Sequence, residues 1–172
     1  MSRNRKSAKT EGTRFETVVR DYLAQALDDD RIMRPRLHGA TDIGDIANTY
    51  FMGQRVCIEC KNTKAKAYRA HMLEAIDEAG NLDAPFYFVV QKVPGIGFRS
   101  MRKIGSQMAY TTPEVLDAMR REAPDDLFLH NTGNFTPFTT KGKAPMELVR
   151  CDLRSLAVVL NHGLPLGREM ES

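Results

Sequence analysis

Residues 56–62 read Val56-Cys57-Ile58-Glu59-Cys60-Lys61-Asn62, and how this stretch folds decides what surrounds it. Cys57 and Cys60 form a C-x-x-C, the spacing of a metal knuckle or a redox pair. Glu59 and Lys61 form an E-x-K, the acidic and basic halves of a metal-dependent hydrolytic centre. Side chains on a strand alternate between faces. An extended backbone therefore puts Glu59 and Lys61 on one side with Cys57, and sends Cys60 to the other. A zinc knuckle needs a tight turn between its cysteines, and Val-Cys-Ile-Glu-Cys has strand composition. The strand reading wins.

Working outward, Gly44 to Phe51 and Arg55 to Asn62 flank a turn at Met52-Gly53-Gln54 and predict a hairpin. A three-residue loop over 52–54 sets Phe51 opposite Arg55, Ala47 opposite Glu59 and Asp45 opposite Lys61. One face then collects Asp45, Ala47, Thr49, Glu59 and Lys61, and the other Ile46, Asn48, Tyr50, Val56, Ile58 and Cys60. A two-residue Gly53-Gln54 loop would shift the parity and move Asp45 to the core side, a costly place for an unpaired charge, so the three-residue loop, or an equivalent bulge, wins. Asp42 is a rival for Asp45, but on a continuous strand it faces away from Glu59.

Before the hairpin, residues 1–12 are polar and without period, which predicts a mobile basic arm. Phe15, Val18, Val19, Tyr22, Leu23, Ala26 and Leu27 recur at helical spacing, and Thr13 to Glu16 fits a capping box with Thr13 as N-cap. After the hairpin, Tyr68, Met72, Ala75, Ile76 and Ala79 predict a helix over 65–79 with Gly80 at its C′ position. Phe86 to Val90 is a buried strand. Pro94 to Gly97 opens a basic loop without the glycines or setting of a phosphate fingerprint. A strand over 107–110 leads to a helix with Thr112 as N-cap and Pro113 at N1. Residues 125–145 read as loop, 146–151 as a strand, and Asp152 caps a last helix closed by Gly163. The order α-β-β-α-β-(β)-α-(β-α) predicts a single mixed α/β domain over 13–172, with a core to about 123 and a strand–helix extension over about 125–165.

The 172 residues are 42% hydrophobic and 27% charged, and no apolar run approaches a membrane span. A basic N-terminus without an apolar segment after it is not a signal peptide, and three cysteines do not suggest a disulfide framework. Both point to a cytoplasmic setting. The net charge of +3 is unevenly spread. Residues 1–14 carry Arg3, Arg5, Lys6, Lys9 and Arg14 against Glu11 alone. Lys61, Lys64, Lys66 and Arg69 form a second basic cluster, and Lys92, Arg99, Arg102 and Lys103 a third. Such clustering suits a polyanion, and solvated faces account for it equally. His38, His71, His130 and His162 show no ligand spacing, so the cysteines read as ordinary buried residues.

Two neighbouring carboxylates offer hard oxygen ligands to Mg²⁺ or Mn²⁺, and a lysine beside them can act on a water or on developing charge. Asp45, the hairpin, Glu59-Cys60-Lys61 fourteen residues on, Glu16 on the preceding helix and an amphipathic helix after it resemble the PD-(D/E)XK nuclease superfamily. Within it they look most like the archaeal and phage-type Holliday junction resolvases, over about residues 13–92. Gly44 stands where the superfamily name has proline. The resemblance implies a restriction-endonuclease-like fold of αβββαβ type, with a central mixed sheet flanked by helices. It implies a homodimer that cuts branched DNA, a four-way junction, by symmetric Mg²⁺-dependent nicking with Mn²⁺ able to substitute, without organic cofactor or membrane, in the host cytoplasm if phage-encoded. Asp45, Glu59 and the Cys60 carbonyl would be metal ligands, Lys61 catalytic, and Glu16 part of the acidic cluster. Arg3, Arg5, Lys6, Lys64, Lys66, Arg69, Arg99, Arg102 and Lys103 would grip DNA. A restriction-like or repair nuclease acting on linear duplex, and a non-catalytic DNA-binding protein on a nuclease scaffold, remain alternatives.

Overall fold

The computed structural model describes residues 5–35, 41–123, 134–167 and 170. Its centre is a six-stranded mixed sheet in the order β1-β2-β3-β4-β6-β5. The strands are β1 (Tyr50–Phe51), β2 (Gln54–Lys61), β3 (Phe86–Gln91), β4 (Met108–Thr111), β5 (Thr136–Thr139) and β6 (Glu147–Asp152). The helices are α1 (Arg5–Ala26), α2 (Tyr68–Leu82), α3 (Met101–Gly105), α4 (Pro113–Glu122) and α5 (Leu153–Leu160). β2 and β3 run parallel, which requires a crossover, and α2 supplies it. The other strand pairs are antiparallel. The expected α/β class, a central mixed sheet flanked by helices, is what forms.

The sheet is buried on both faces. Phe15, Val19, Tyr22 and Leu23 of α1 pack with α3, α4 and α5 against Val56, Ile58, Cys60, Phe86, Phe88 and Val90. Met72 and Ala75 of α2 cover Val89, Tyr110 and Leu148 on the opposite face. The face expected to carry Asp45, Glu59 and Lys61 is therefore closed over by α2, and its charges are partly desolvated.

Several boundaries differ from expectation for identifiable reasons. The helix α1 begins at Arg5, so residues 5–12 are helical where an arm was expected. This segment has no apolar stripe, so periodicity could not reveal it. It is anchored by Asn62, whose Nδ2 donates to the Glu11 carbonyl at 3.1 Å. Thr13 consequently lies inside the helix, and the capping box does not form. The helix α2 starts later than 65, because the Ala65 carbonyl accepts from Thr63 Oγ1 and Gln91 Nε2 rather than from the helix. It also runs past Gly80, ending at Asp83 in the left-handed region. The strand β5 occupies part of the expected 125–145 loop, and the short α3 sits in the expected basic loop. Thr112 and Asp152 cap α4 and α5 as read from sequence, accepting from the amides of Val115 and Ser155.

The hairpin has the expected parity and a different register. Tyr50 pairs with Arg55 and Phe51 with Gln54, around a two-residue loop of Met52 (φ 49°) and Gly53 (φ 76°). Both loop residues have the positive φ of a type I′ turn. Asn48, at φ 64°, then absorbs one extra residue, so that Ile46 pairs with Ile58. The bulge restores what the short loop reverses. Asp45 lies beside Glu59 rather than opposite Lys61, still on Glu59's face, and 44–51 is not one continuous strand.

Candidate active site

Asp45 is positioned by two backbone features. Gly44 adopts φ +89°, and a Cβ there would meet Cys57 Sγ at 2.9 Å and the Ile58 carbonyl oxygen at 3.1 Å. Proline is locked near φ −65° and cannot take this conformation, which accounts for glycine at this position. The amides of Asp45 and Ile46 both donate to the Ile58 carbonyl, at 2.9 and 3.3 Å. This doubled bond turns the Asp45 side chain along β2, where its Oδ2 accepts from the Cys60 amide at 2.8 Å. The carboxylate takes over the ladder where the hairpin strand stops.

Glu59 is almost wholly buried, and its Oε1 lies 2.6 Å from Lys61 Nζ. Lys61 is also held by Glu74 Oε2 at 2.5 Å. Burial opposes the Lys61 charge, but Glu59 and Glu74 outweigh it and push its pKa up. The acids respond in the opposite sense. Burial first, then the charge of Glu59, raises Asp45 to about 8 against the opposing Cys60 amide. Burial first, then the abutting Glu78 carboxyl, raises Glu59 to about 7 against Lys61. Glu78 itself is raised by burial and by the charges of Asp42 and Asp45. Its Oε2 is buried with no hydrogen-bond donor.

Asp45, Glu59 and Lys61 are thus brought together. Glu16 stands at the rim, its charge felt by Asp45, and it pairs with Arg34. Since Glu16 is mid-helix, no capping role explains it. Cys60 meets the cluster through its backbone, and its thiol lies in the main core. Cys57 points the other way, its Sγ 3.8 Å from the Ile43 carbonyl. All three cysteines are free and buried.

Sequence reasoning missed Glu74 and Glu78. They are one helical turn apart at the edge of the α2 apolar stripe, and that i, i+4 pairing is the signal available. Among the nucleic-acid candidates, Lys64, Lys66, Arg69, Arg99, Arg102 and Lys103 are exposed. Arg3, His38, His130 and the 124–133 part of the expected loop lie outside the described residues, as do the side chains of Arg5 and Lys6.

Among the described residues, no three His, Cys, Asp or Glu side chains converge as a ready-made metal cage. Mg²⁺ needs none, because it keeps several waters and binds through one or two carboxylates. Asp45 and Glu59 fit that demand. They are hard oxygen donors, crowded and desolvated enough to hold protons that a cation would replace, beside a buried oxygen of Glu78 that lacks a donor. Among the described residues no helix is long and apolar enough to cross a membrane. Comparison of the chain with protein-family models, with curated proteins and with solved structures finds no match.

Proposed function

We propose that the protein is a Mg²⁺-dependent DNA endonuclease of the PD-(D/E)XK kind, a Holliday junction resolvase that nicks four-way junctions symmetrically as a homodimer. The observation that carries this reading is the convergence of Asp45, Glu59 and Lys61 at the bulged hairpin, with both carboxyls raised in pKa and the lysine charged. Asp45 and Glu59, with the Cys60 carbonyl, would hold Mg²⁺, and Mn²⁺ would substitute. The bound cation supplies positive charge to a phosphodiester oxygen and lowers the pKa of a water. Lys61 donates from Nζ to the attacking water or to a phosphate oxygen, once the approaching phosphate draws it from Glu74. Glu16, paired with Arg34, stands at the rim and would complete the acidic cluster. Exposed Lys64, Lys66 and Arg69 follow Lys61 along the chain and suit a phosphate backbone entering there. Two symmetric nicks require two sites, hence the twofold dimer.

The test is cleavage of an end-labelled four-way junction beside a linear duplex of the same arms. Paired cuts on the junction, present in Mg²⁺ and absent in EDTA, are the expected result. Sequence-dependent cutting of the linear duplex would replace the junction substrate with a restriction-like or repair one. Binding without cleavage in either Mg²⁺ or Mn²⁺ would leave a non-catalytic DNA-binding protein.

A further inference from the structure

Register carries the site sideways across the sheet. Glu59 pairs with Val89, Val89 with Tyr110, and Tyr110 with Arg150, so these four form one row on one face. The next row reads Lys61, Gln91, Met108 and Asp152. A groove of about 540 Å³ runs along this second row, with Gln91, Met108 and Asp152 in its lining. That volume lies within the range of small-ligand sites. It opens directly beside Lys61, whose carbonyl accepts from the Lys92 amide at 2.9 Å. Its far wall, β6 with Asn134 and Thr136, comes from the C-terminal extension that the nuclease resemblance leaves unmatched.

The lining has two chemistries. Lys64, Lys66, Lys92 and Arg150 line the groove as cations. They face one acid, Asp152, whose Oδ1 is already taken by the Ser155 amide. Between them lie Tyr68, Val93, Pro94 and Met108. Tyr68 is fixed by edge contacts at 5.5 Å to both Tyr110 and Phe138, and Arg150 lies over Phe138 at 5.5 Å. The loop wall is equally fixed. Gln107 accepts from the Val93 amide at 2.8 Å and donates to the carbonyls of Gly97 and Lys103 at 2.9 Å.

We propose that this groove binds an unpaired segment of DNA next to the scissile phosphate, its phosphates on Lys64, Lys66, Lys92 and Arg150 and a base against Tyr68 and Met108. Cations that track a backbone, interleaved with an aromatic platform, are the means by which single strands are held. At about 540 Å³ the groove is of small-ligand size, which suits a single strand rather than a duplex. The groove would therefore select substrates whose strands part near the cut, and would give the C-terminal extension its task. The inference rests on DNA being the substrate.

The experiment is fluorescence anisotropy of the full chain in EDTA, where cleavage plays no part. The probes are a labelled eight-residue oligodeoxythymidylate, an abasic strand of equal length, and a duplex. The thymidylate is expected to bind at least about tenfold more tightly than the abasic strand. Lys92→Gln with Arg150→Gln is expected to weaken it about tenfold. The dependence of log K on log salt should become shallower by about 1.4, because two cations no longer neutralise single-strand phosphates. Lys66→Gln, at an exposed position, repeats the comparison if the double variant melts early, and the slope should then become shallower by about 0.7. Equal affinity for the abasic strand, unchanged affinity in the variants, or displacement by poly-glutamate as readily as by thymidylate would each overturn the proposal. Thymidylate binding through the groove without junction cleavage would sink the nuclease reading alone. Junction cleavage with variants indifferent to thymidylate would sink the groove alone.

Discussion

Replacing Asp45 with asparagine should make the protein more stable at neutral pH. The Asp45 carboxyl has a pKa of about 8 in the folded chain, against an ordinary value of 3.8, because of burial and then the Glu59 charge. Below about pH 4 it is protonated whether folded or not, and folding is indifferent to it. Between about pH 4 and 8 the unfolded chain ionises while the native chain keeps its proton, so stability falls as pH rises, and the loss is complete above 8. Each pKa unit corresponds to about 1.36 kcal/mol, which bounds the penalty at pH 7 at about 4 kcal/mol. Asp45 keeps partial solvent contact and its titration is tied to that of Glu59, so about half of this, roughly 2 kcal/mol, should appear. Asparagine is isosteric with aspartate, and its amide oxygen can still accept from the Cys60 amide. For a chain of this length the gain is a Tm about 4–8 °C higher. Thermal unfolding followed by circular dichroism in EDTA, from pH 4.5 to 8.5, measures it. Asp45→Asn should match the wild type at the acid end and exceed it increasingly towards the alkaline end. A difference that does not depend on pH, or a less stable variant at pH 8, would refute the reasoning. Mg²⁺ should then stabilise the wild type, by about 1.4 kcal/mol at ten times Kd, and leave Asp45→Asn nearly unmoved.

Lys61→Ala should lower junction cleavage by about 10²–10⁴ while junction binding, measured by gel shift in Ca²⁺, stays within a few fold. Gly44→Ala should cost about 1–3 kcal/mol in denaturant unfolding, since it adds a strained φ to close approaches of 2.9 and 3.1 Å to Cys57 Sγ and the Ile58 carbonyl. A neutral result would mean that Gly44 does not need its observed conformation. Asn48→Val should cost a similar amount, losing the Nδ2 bond to the Arg31 carbonyl and placing a β-branched residue at positive φ. Asn48→Gly should retain most of the stability, and equal losses in the two variants would count against the bulge.

The legibility of this chain follows the range of the interactions involved. Alternation within β2 depends on adjacent residues, so the common face of Glu59 and Lys61 and the divergence of the cysteines were readable. So was the parity of Asp45, because a buried charge excluded the alternative. The register was not, because asparagine at positive φ leaves no distinctive mark, and a two-residue turn plus a bulge gives the same faces as a three-residue loop. The extension of α1 to Arg5 buries nothing periodic, and its anchor, Asn62, lies 51 positions from Glu11. Glu74 and Glu78 read as the solvated edge of an amphipathic helix until α2 is laid over β2. Arg150 belongs to no basic run, and only the strand order β2-β3-β4-β6 brings it into line with Glu59.

The distribution of cost within the fold bears on whether the cluster works or is a relic. The main core follows the ordinary rules, with apolar strands packed by α1, α4 and α5. Positive φ also occurs at Asp28, Asp83 and His162, and the Tyr22 hydroxyl is buried without a partner in the main core. The carboxyls raised in pKa, however, gather in one place. Gly44 and Asn48 hold positive φ, Asp45 and Glu59 keep protons at pH values where carboxylates ordinarily lose them, and Glu78 buries an oxygen without a donor. Apolar side chains of similar volume at these positions would give a more stable protein, since buried ionic clusters seldom repay their desolvation. Three desolvated carboxyls kept together, with no gain in stability, are what a working site requires, and they supply the hypothesis that the Asp45→Asn comparison tests. A relic would face no such constraint, because substitutions that relieve the cost are many and cause no loss when activity is gone. The Asp45→Asn comparison weighs the two accounts directly. A variant that is more stable and fails to cut is a working site whose cost the fold sustains, whereas one that is more stable and binds and behaves like its parent in every assay is a relic.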